Sequence, residues 1–291
     1  MNIIKYKYLF FLISGSLVIA SVFSISYFGF KQGIDFVGGT LWEIRVEKTI
    51  DKSFIQDLIP EAIVNSGVNN SWLLRLPEMT EEAHQEKLYF LQDKLGSLEE
   101  LKFESIGPAI GKEVRTRAIW ALASVLLAIS LYIAFAFRKV SYPVTSWKYG
   151  IITLVTLFHD AIIPAGLIAF LGYIGTAEAN TNFVIAILVV IGFSVHDTIV
   201  VFDRIRENLR LKLVKDETFS DLVNRSINET LARSINTSLT LVLILTALYF
   251  LGSLSLSYFV LVILVGTIIG TYSSICIASP LLTLLKGRGN I

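Results

Sequence analysis

The chain has 291 residues, of which 54% are hydrophobic and 17% are charged, and its mean hydropathy is +0.65. This composition is too apolar for a soluble domain and indicates a membrane protein. A formal net charge of +1 provides no excess of positive charge to attract nucleic acid, and the single cysteine, Cys276, excludes an internal disulfide bond.

The first apolar run, Tyr8–Phe28, follows Lys5 and Lys7 at the N-terminus. It is longer than the apolar part of a signal peptide, and no small-residue cleavage site follows it. About 20 apolar residues in a helix cross the hydrocarbon core of a bilayer. We therefore interpret residues 1–30 as an N-terminal segment with an uncleaved first membrane helix.

A polar segment, residues 31–117, separates the first two apolar runs. It follows a tether, "FKQGIDFVGG", in which Gly33, Gly38 and Gly39 permit backbone angles barred to other residues, as either a functional hinge or a tight turn requires. The patterns beyond the tether predict, in order, a strand at "TLWEIRVE", a helix after a possible N-cap at Asp51, strands near Ala62–Val68 and Trp72–Leu76, a helix from Thr80 to Gly96, and a strand at "LEELKFESIG". The order βαββαβ predicts a ferredoxin-like α+β domain with its helices on one face of the sheet.

The region 118–291 contains the remaining apolar runs. The last of them is too long for one span, and it is interrupted by "LGSLSLS" at Leu251–Ser257, so we divide it into two helices. The prediction is an α-helical polytopic membrane protein with six transmembrane helices. The runs are Ala118–Phe137, Tyr149–Leu171, Asn182–Phe202 and Ile235–Leu285.

Residues of about 203–234, between the fourth and fifth membrane helices, are predicted to be helical in two pieces. Apolar residues in the second piece recur at three- and four-residue spacings, which predicts an amphipathic stripe. We interpret this stripe as a helix on the inner membrane surface or against the bundle, in preference to a dedicated partner-binding helix. The stripe consists of Phe219, Leu222, Val223, Ile227 and Leu231.

Lysine and arginine are distributed unequally between the two sides of the predicted bundle. The short loops on one side, Gly172–Thr181 and Leu251–Ser257, contain neither residue. By the positive-inside rule, both termini are cytosolic in a bacterial inner membrane, and the domain at 31–117 is extracytoplasmic. The segments assigned to the cytosol contain Lys5, Lys7, Arg138, Lys139, Lys148, seven further lysines and arginines from Arg204 to Arg233, Lys286 and Arg288.

The fourth membrane helix carries an ionisable pair, His196 and Asp197, in "FSVHDTIVVFDRIREN". An aspartate at the centre of a span costs about 2.5 to 3.5 kcal/mol to insert, and intramembrane acids are generally functional. His196 points about 100° away from Asp197 around the helix, so each side chain needs its own partner. For Asp197 the leading candidate is Arg233, at the beginning of the fifth helix. A pair that forms and separates changes the proton affinity of the acid, whereas a static pair fixes helix packing.

The third membrane helix carries a second acid, Asp160, in "TLFHDAIIP". Pro164 has no N–H to donate to the carbonyl of Asp160, so this region fits either a proton or water site or a packed kink. We interpret His159 and His196 as hydrogen-bonded interior residues, because three histidines, one of them His84 in the external segment, provide no metal-binding set. The chain has no phosphate-binding glycine loop, nucleophile elbow or zinc-protease motif. We therefore expect neither direct use of ATP nor a bound cofactor, and any work must draw on an ion gradient or a partner.

Several of these segments together resemble one family, the SecF group of the SecD/SecF protein-export proteins in the resistance-nodulation-division superfamily. "GIDFVGGT" follows the first helix as in the family, with Val37 where threonine is common, and "IGPAIGKEVR" ends the external segment. The third helix has "HD", the fourth "DTIVVFDRIREN", and the fifth begins after "NETLARSINTSLT". The order of segments, the six-helix topology and the length agree along nearly the whole chain.

The resemblance implies a subunit without a catalytic site that pairs with a SecD-like subunit and associates with the SecYEG channel. It would use protons as the coupling ion to promote the movement of unfolded preproteins through the lipid membrane. Two other functions stay open: a small-molecule efflux subunit of the same superfamily, for which the external domain is small, and a structural assembly factor.

The resemblance also assigns roles to residues. Asp197 matches the proton-coupling acid of the family, and Arg233 matches its basic counterpart. His196 stands where the family usually has asparagine, which either tunes the relay or replaces one hydrogen bond. Further candidates for a secondary relay are Asp160, His159 and His196, and the candidates for a moving tether are Gly33, Asp35, Gly38 and Gly39.

Overall fold

The computed structural model describes residues 2–47, 50–67, 70–138, 144–175, 177–211 and 217–285. Residues used in the predictions that lie outside these ranges are Val68, Lys139, Lys212, Lys215, Lys286 and Arg288. The helices are α1 (Lys7–Phe28), α2 (Ile34–Val37), α3 (Lys52–Leu58), α4 (Glu81–Leu95), α5 (Pro108–Ala136), α6 (Ser146–Tyr173), α7 (Thr181–Leu211), α8 (Phe219–Leu251), α9 (Leu254–Ser273) and α10 (Ser279–Leu284). The strands are β1 (Gly39–Val46), β2 (Ile63–Ser66), β3 (Ser71–Leu76) and β4 (Leu98–Ile106).

Six helices in the described ranges are long and apolar enough to cross a membrane, which confirms the predicted number. They are α1, α5, α6, α7, α8 and the helical path formed by α9 and α10, which a π-helical segment, Ser274–Ala278, connects. The spans of α6, α7 and α9 are largely buried in the bundle, whereas α1, α5 and α8 expose most of their surface. The bundle therefore has three central and three peripheral helices.

Two membrane helices extend beyond the apolar runs that predicted them. Pro108 occupies the first turn of α5, where its fixed φ fits and its missing N–H has no intrahelical partner, so "IGPAIGKEVR" is the start of this helix, ahead of its apolar run. Residues 203–211 and 219–234 are helical in two pieces, as predicted, and these pieces are continuous with α7 and α8. The stripe on α8 packs inside the bundle: Phe219, Val223 and Ile227 are fully buried in one core with Phe202.

The segment between α1 and α5 folds into an antiparallel four-stranded sheet with two helices. The strand order is β2-β3-β1-β4, and the elements follow the predicted order βαββαβ. Alternate side chains of the strands form a core with α3 and α4, because successive residues of a strand point to opposite faces. This core includes Trp42, Ile44, Leu74, Ile55 and Leu91.

The other face of the sheet lies over the ends of the central membrane helices. Leu41, Leu73 and Arg75 line a cavity of about 230 Å³ whose other wall includes Phe183 and Phe259. The backbone of the α1–β1 tether pairs with the loop before α7: Gly33 N–H donates to Ala179 O at 2.8 Å, and Ala179 N–H donates to Lys31 O at 2.8 Å. The α+β domain is thus bound to the bundle through the tether and through its free sheet face.

Candidate functional site

Asp160 is fully buried on α6 and is surrounded by hydrogen-bonding groups. Ser273 Oγ donates to Asp160 Oδ2 at 2.6 Å, and Ser194 Oγ donates to the same oxygen. Nδ1 of His159 lies 2.7 Å from Asp160 Oδ1. The carboxyl group therefore interacts with three helices, α6, α7 and α9, through three side chains.

Asp197 is buried on α7, with 7% of its surface exposed, and it has a comparable set of partners. Ser234 Oγ of α8 donates to Asp197 Oδ1 at 2.7 Å, and Ser274 Oγ donates to Asp197 Oδ2 at 2.7 Å. In the part of the chain that the structure describes, neither Asp160 nor Asp197 forms an ion pair with lysine or arginine. Asp197 is held by two serine hydroxyls, and Asp160 is held by two serine hydroxyls and His159.

The two acids belong to one polar cluster in the centre of the bundle, which we call the carboxylate network. It is defined by Asp160, Ser194, Asp197, Ser234, Ser273 and Ser274, with His159 at its edge. Two glycines let α9 approach α7: a Cβ atom on Gly270 would lie 3.1 Å from Ser194 Cβ, and one on Gly266 would lie 2.2 Å from Val190 Cγ2. The small residues bring the hydroxyl groups of one helix within reach of the carboxylates of another.

The predicted ion pair between Asp197 and Arg233 was wrong: within the described part of this chain, the two side chains do not meet. Arg233 is exposed on the outer face of α8, and its neighbour Ser234 occupies the position facing Asp197. Consecutive residues of a helix diverge by about 100°, so only one of the two can face α7. The sequence analysis identified the correct segment of α8 as the partner of Asp197, but it chose Arg233 instead of Ser234.

The two intramembrane histidines have different environments. His159 is buried and bonded to Asp160, which confirms its interpretation as a hydrogen-bonded interior residue. His196 is exposed, so its interpretation as an interior residue was wrong. As expected from their spacing on α7, His196 and Asp197 point in different directions. Among the described residues, His159 Nε2 is buried without a hydrogen-bond partner.

The glycine tether forms a compact junction between the domain and the bundle. Gly38 and Gly39 have φ angles of +84° and +126°, and a Cβ atom on Gly38 would lie 2.8 Å from Pro108 N. Gly33 has ordinary angles, but a Cβ atom there would lie 2.7 Å from Asn180 Cβ. The geometry supports the tight-turn interpretation, while a hinge function stays a prediction.

Asp35 connects this tether to the helix that carries Asp197. Its Oδ2 accepts a hydrogen bond from the backbone N–H of Thr181, the first residue of α7, at 2.7 Å. The first N–H groups of a helix have no intrahelical acceptor, and a carboxylate there is favoured by the helix dipole. Asp35 therefore caps the N-terminus of α7 from a distant part of the sequence.

The sequence analysis missed the four serines that bind the acids: Ser194, Ser234, Ser273 and Ser274. Their signal is weak, because serine and threonine in apolar helices commonly bond to a carbonyl of their own helix. Thr237, Thr240 and Thr271 do so in this chain. Within the described ranges, no group of three histidine, cysteine or acidic side chains is arranged to hold a metal ion.

The chain is similar to known membrane proteins along nearly its whole length. The family described as "Protein export membrane protein SecD/SecF, C-terminal" matches residues 87–288, and the "SecD/SecF GG Motif" matches residues 23–50. A protein named "Protein translocase subunit SecF" from Thermobaculum terrenum is 43% identical, over 97% of this chain and 92% of the relative. Another of that name, from Sebaldella termitidis, is 34% identical over 98% of this chain and 92% of the relative.

The structure is similar to a part of a larger solved protein. The crystal structure of SecDF from Thermus thermophilus, described as a translocon-associated membrane protein, superposes with a TM-score of 0.83 at 34% identity. The match covers 98% of this chain and 38% of that one, so this chain spans little more than a third of the solved protein. A second SecDF structure, in a form called super-membrane-facing, gives a TM-score of 0.69 at 33% identity and covers the same shares of both chains.

Proposed function

The chain belongs to the SecD/SecF family of protein export membrane proteins, and on that premise we propose that it is a proton-coupled accessory subunit of the Sec export machinery. Proton binding and release at the carboxylate network change the arrangement of the helices in the bundle. The α+β domain follows that change and promotes the movement of unfolded preproteins that emerge from the SecYEG channel. Protons are the coupling ion, and the subunit needs neither a catalytic site nor a bound cofactor.

The observation that carries this proposal is the pair of acids buried inside the bundle. Acidic residues in membrane spans are rare, costly and commonly part of proton pathways. Asp160 and Asp197 are bound mainly by serine hydroxyls. A hydroxyl group donates to an ionised carboxylate and accepts from a protonated one, whereas an arginine only donates. This set of partners suits acids that change protonation state.

We place the protein in the bacterial inner membrane, with both termini in the cytosol and a ferredoxin-like domain outside. The order of the four strands and the two helices on one face support the ferredoxin-like assignment. The N-terminus lies at the end of the bundle opposite the domain, where Ile3 N–H donates to Asn224 Oδ1 at 2.8 Å. Cationic side chains at that end support a cytosolic orientation; they include Lys5, Lys7, Lys148, Arg204 and Arg225.

A SecD-like subunit is the partner that the bundle requires. Arg233, Asn236 and Thr240 are exposed on α8, where contact with lipid would leave an arginine and an amide in hydrocarbon. The SecDF relative from Thermus thermophilus is a single chain, and this chain corresponds to only 35% of it. We propose that a separate SecD-like subunit covers the polar face of α8 and supplies an acidic or polar partner for Arg233.

The test replaces Asp197 by asparagine and measures proton-driven stimulation of preprotein export. The assay uses membrane vesicles containing the chain, its SecD-like partner and the channel, with and without a proton gradient. We expect Asp197→Asn to remain in the complex and to lose the gradient-dependent part of export, because the amide cannot bind and release a proton. Asp203→Asn is the matched control: Asp203 is an exposed acid on the same helix, paired with Arg206.

Gradient-dependent export at the normal level in Asp197→Asn would exclude the proton-coupled function. Loss of the complex together with export would instead favour a structural assembly factor. Normal export combined with impaired extrusion of small molecules would favour the efflux subunit.

A further inference from the structure

Ser273 and Ser274 are consecutive residues, yet they bind two different acids. Ser273 Oγ donates to Asp160 on α6, and Ser274 Oγ donates to Asp197 on α7. The divergence of about 100° between neighbouring helical residues allows this arrangement. The two serines that bind the acids are therefore separated by a single peptide group, at the C-terminal end of α9.

A second link between the acids runs along α7. Ser194 donates to Asp160 Oδ2, the same oxygen that Ser273 contacts, and Ser194 lies one helical turn before Asp197. Asp160 is thus contacted by the last residue of α9 and Asp197 by the residue that follows it, and the helix that carries Asp197 also contacts Asp160. Movement of α7 against α9 changes the surroundings of both carboxyl groups.

Both serines have a second acceptor within reach of the same hydroxyl. Ser273 Oγ lies 3.0 Å from Gly270 O, and Ser274 Oγ lies 3.0 Å from Thr271 O. A serine hydroxyl carries one proton, so it donates either to the carboxylate or to the carbonyl. When a carboxyl group is protonated it can donate to the serine oxygen, and the serine proton then turns to its own helix.

The backbone at these serines departs from a regular α-helix. Ser274 begins the π-helical segment that joins α9 to α10, and Ser279 Oγ donates to Ser274 O at 2.9 Å. π-Helical turns inside α-helices are rare and occur frequently at functional sites. The irregular turn begins at the residue that binds Asp197 and adjoins the residue that binds Asp160.

We propose that Ser273 and Ser274 are positioning residues that join Asp160 and Asp197 into one proton-handling unit. Protonation of one acid redirects the hydroxyl of its serine, and the shared turn of α9 transmits this change to the serine of the other acid. This inference rests on the proposed proton-coupled function and extends it by giving Asp160 a part in the same step as Asp197.

The test is a double-mutant cycle on the two serines. Proton flux is measured in proteoliposomes that contain the chain with its SecD-like partner, for Ser273→Ala, Ser274→Ala and the double variant. Each single change is expected to lower the flux by about tenfold, the loss expected when one hydrogen bond to a charged group is removed. If the acids act as one unit, the double variant loses little more than either single variant. Independent acids would give losses that multiply to about a hundredfold, and that result would overturn the inference.

A control variant and a rescue separate positioning from a general effect on packing. Thr267→Val removes a fully buried hydroxyl of the same helix that has no hydrogen-bond partner among the described residues, and it should leave the flux unchanged. Ser273→Thr and Ser274→Thr retain the hydroxyl and should keep most of the flux, whereas Ser273→Val and Ser274→Val, which have the same size without the hydroxyl, should not. If the alanine variants fail to fold, the threonine and valine variants decide the question, and equal flux in each such pair contradicts the inference.

The same experiments distinguish this inference from the function on which it rests. Asp197→Asn without effect on proton flux contradicts the proposed function itself. If Asp197→Asn abolishes the flux and the losses of the two serine variants multiply, the proposed proton coupling stands. The joint action of the two acids is then contradicted.

Discussion

The glycine junction and the carboxylate network both hold α7 through aspartates, but with partners of different kinds. At the junction, Asp35 accepts from a backbone N–H at the first residue of the helix. In the network, Asp197 accepts from two side-chain hydroxyls, one of which also reaches a carbonyl of its own helix. A backbone donor at a helix end cannot turn away without moving the helix, whereas a hydroxyl turns about a single bond. The junction is therefore suited to transmit a displacement, and the network is suited to change with protonation.

Glycine serves a different purpose in each region. At the junction, Gly38 and Gly39 have backbone angles that other residues rarely adopt. In the bundle, Gly266 and Gly270 lie within regular helix α9 and serve only to let α7 approach. A side chain at the junction strains the backbone, whereas one in the bundle separates two helices and so moves the serines away from the acids.

The largest effect on stability is expected from Gly38→Ala. An alanine there combines a strained backbone, which costs about 1 to 3 kcal/mol, with a Cβ atom 2.8 Å from Pro108 N, and overpacking costs about 1 to 3 kcal/mol more. Gly96→Ala is the matched control, because Gly96 has a similar φ of +80° and no neighbour within 4 Å. The apparent free energy of unfolding in detergent should fall clearly further for Gly38→Ala. If both variants lose the same free energy of unfolding, the junction accommodates the added Cβ atom by moving and is not rigid.

A smaller effect is expected from Asp35→Ala, which removes the acceptor at the N-terminus of α7. Loss of such a bond costs about 1 kcal/mol, and Asp35→Asn, which retains an acceptor oxygen, should cost less. Asp51→Ala is the control, because Asp51 occupies the N-cap position of α3 but its side chain makes no capping bond. Chemical denaturation of the three variants measures the differences. A loss in Asp51→Ala as large as that in Asp35→Ala would contradict the role assigned to the Asp35 carboxylate.

The smallest effect on stability is expected from Glu81→Gln. Glu81 is an exposed acid of the α+β domain, outside both the junction and the carboxylate network. The hydrogen bond from Gln85, with a smaller contribution from His84, lowers the pKa of Glu81 below its ordinary value. A lowered pKa in the folded state gives stability that is present above the unfolded pKa of about 4.3 and is lost as the pH falls through the folded pKa. Glu81→Gln should therefore be slightly less stable than the wild type at neutral pH, and the difference should vanish in acid.

Thermal unfolding of the wild type and of Glu81→Gln at a series of pH values checks this prediction. Gln85→Ala should reduce the same part of the pH dependence, because it removes the main donor. A difference between wild type and Glu81→Gln that persists at low pH would assign the effect to something other than the charge of the carboxylate.

Local patterns predicted the elements of the α+β domain well. Thr80 and Gly96 bound α4 as expected, with the Thr80 side chain accepting from Ala83 N–H and Gly96 at a φ of +80°. Asp51 also lies at the predicted N-cap, but its side chain forms no capping bond. The acceptor that caps α7, Asp35, comes from a residue 146 positions away, and no local pattern indicates such a bond.

The amino-acid sequence by itself determined the number of membrane helices, the order of strands and helices in the domain, and the two acids that the bundle buries. These features depend on composition and on periodicity along one segment, which the chain carries locally. Only the tertiary structure decided that Ser234 and not Arg233 faces Asp197, and that Ser273 and Ser274 divide their bonds between two acids. Periodicity gives the position of a residue around its own helix. The rotation and axial shift of one helix against another come from packing, here from the close approach of α9 to α7 at Gly266 and Gly270.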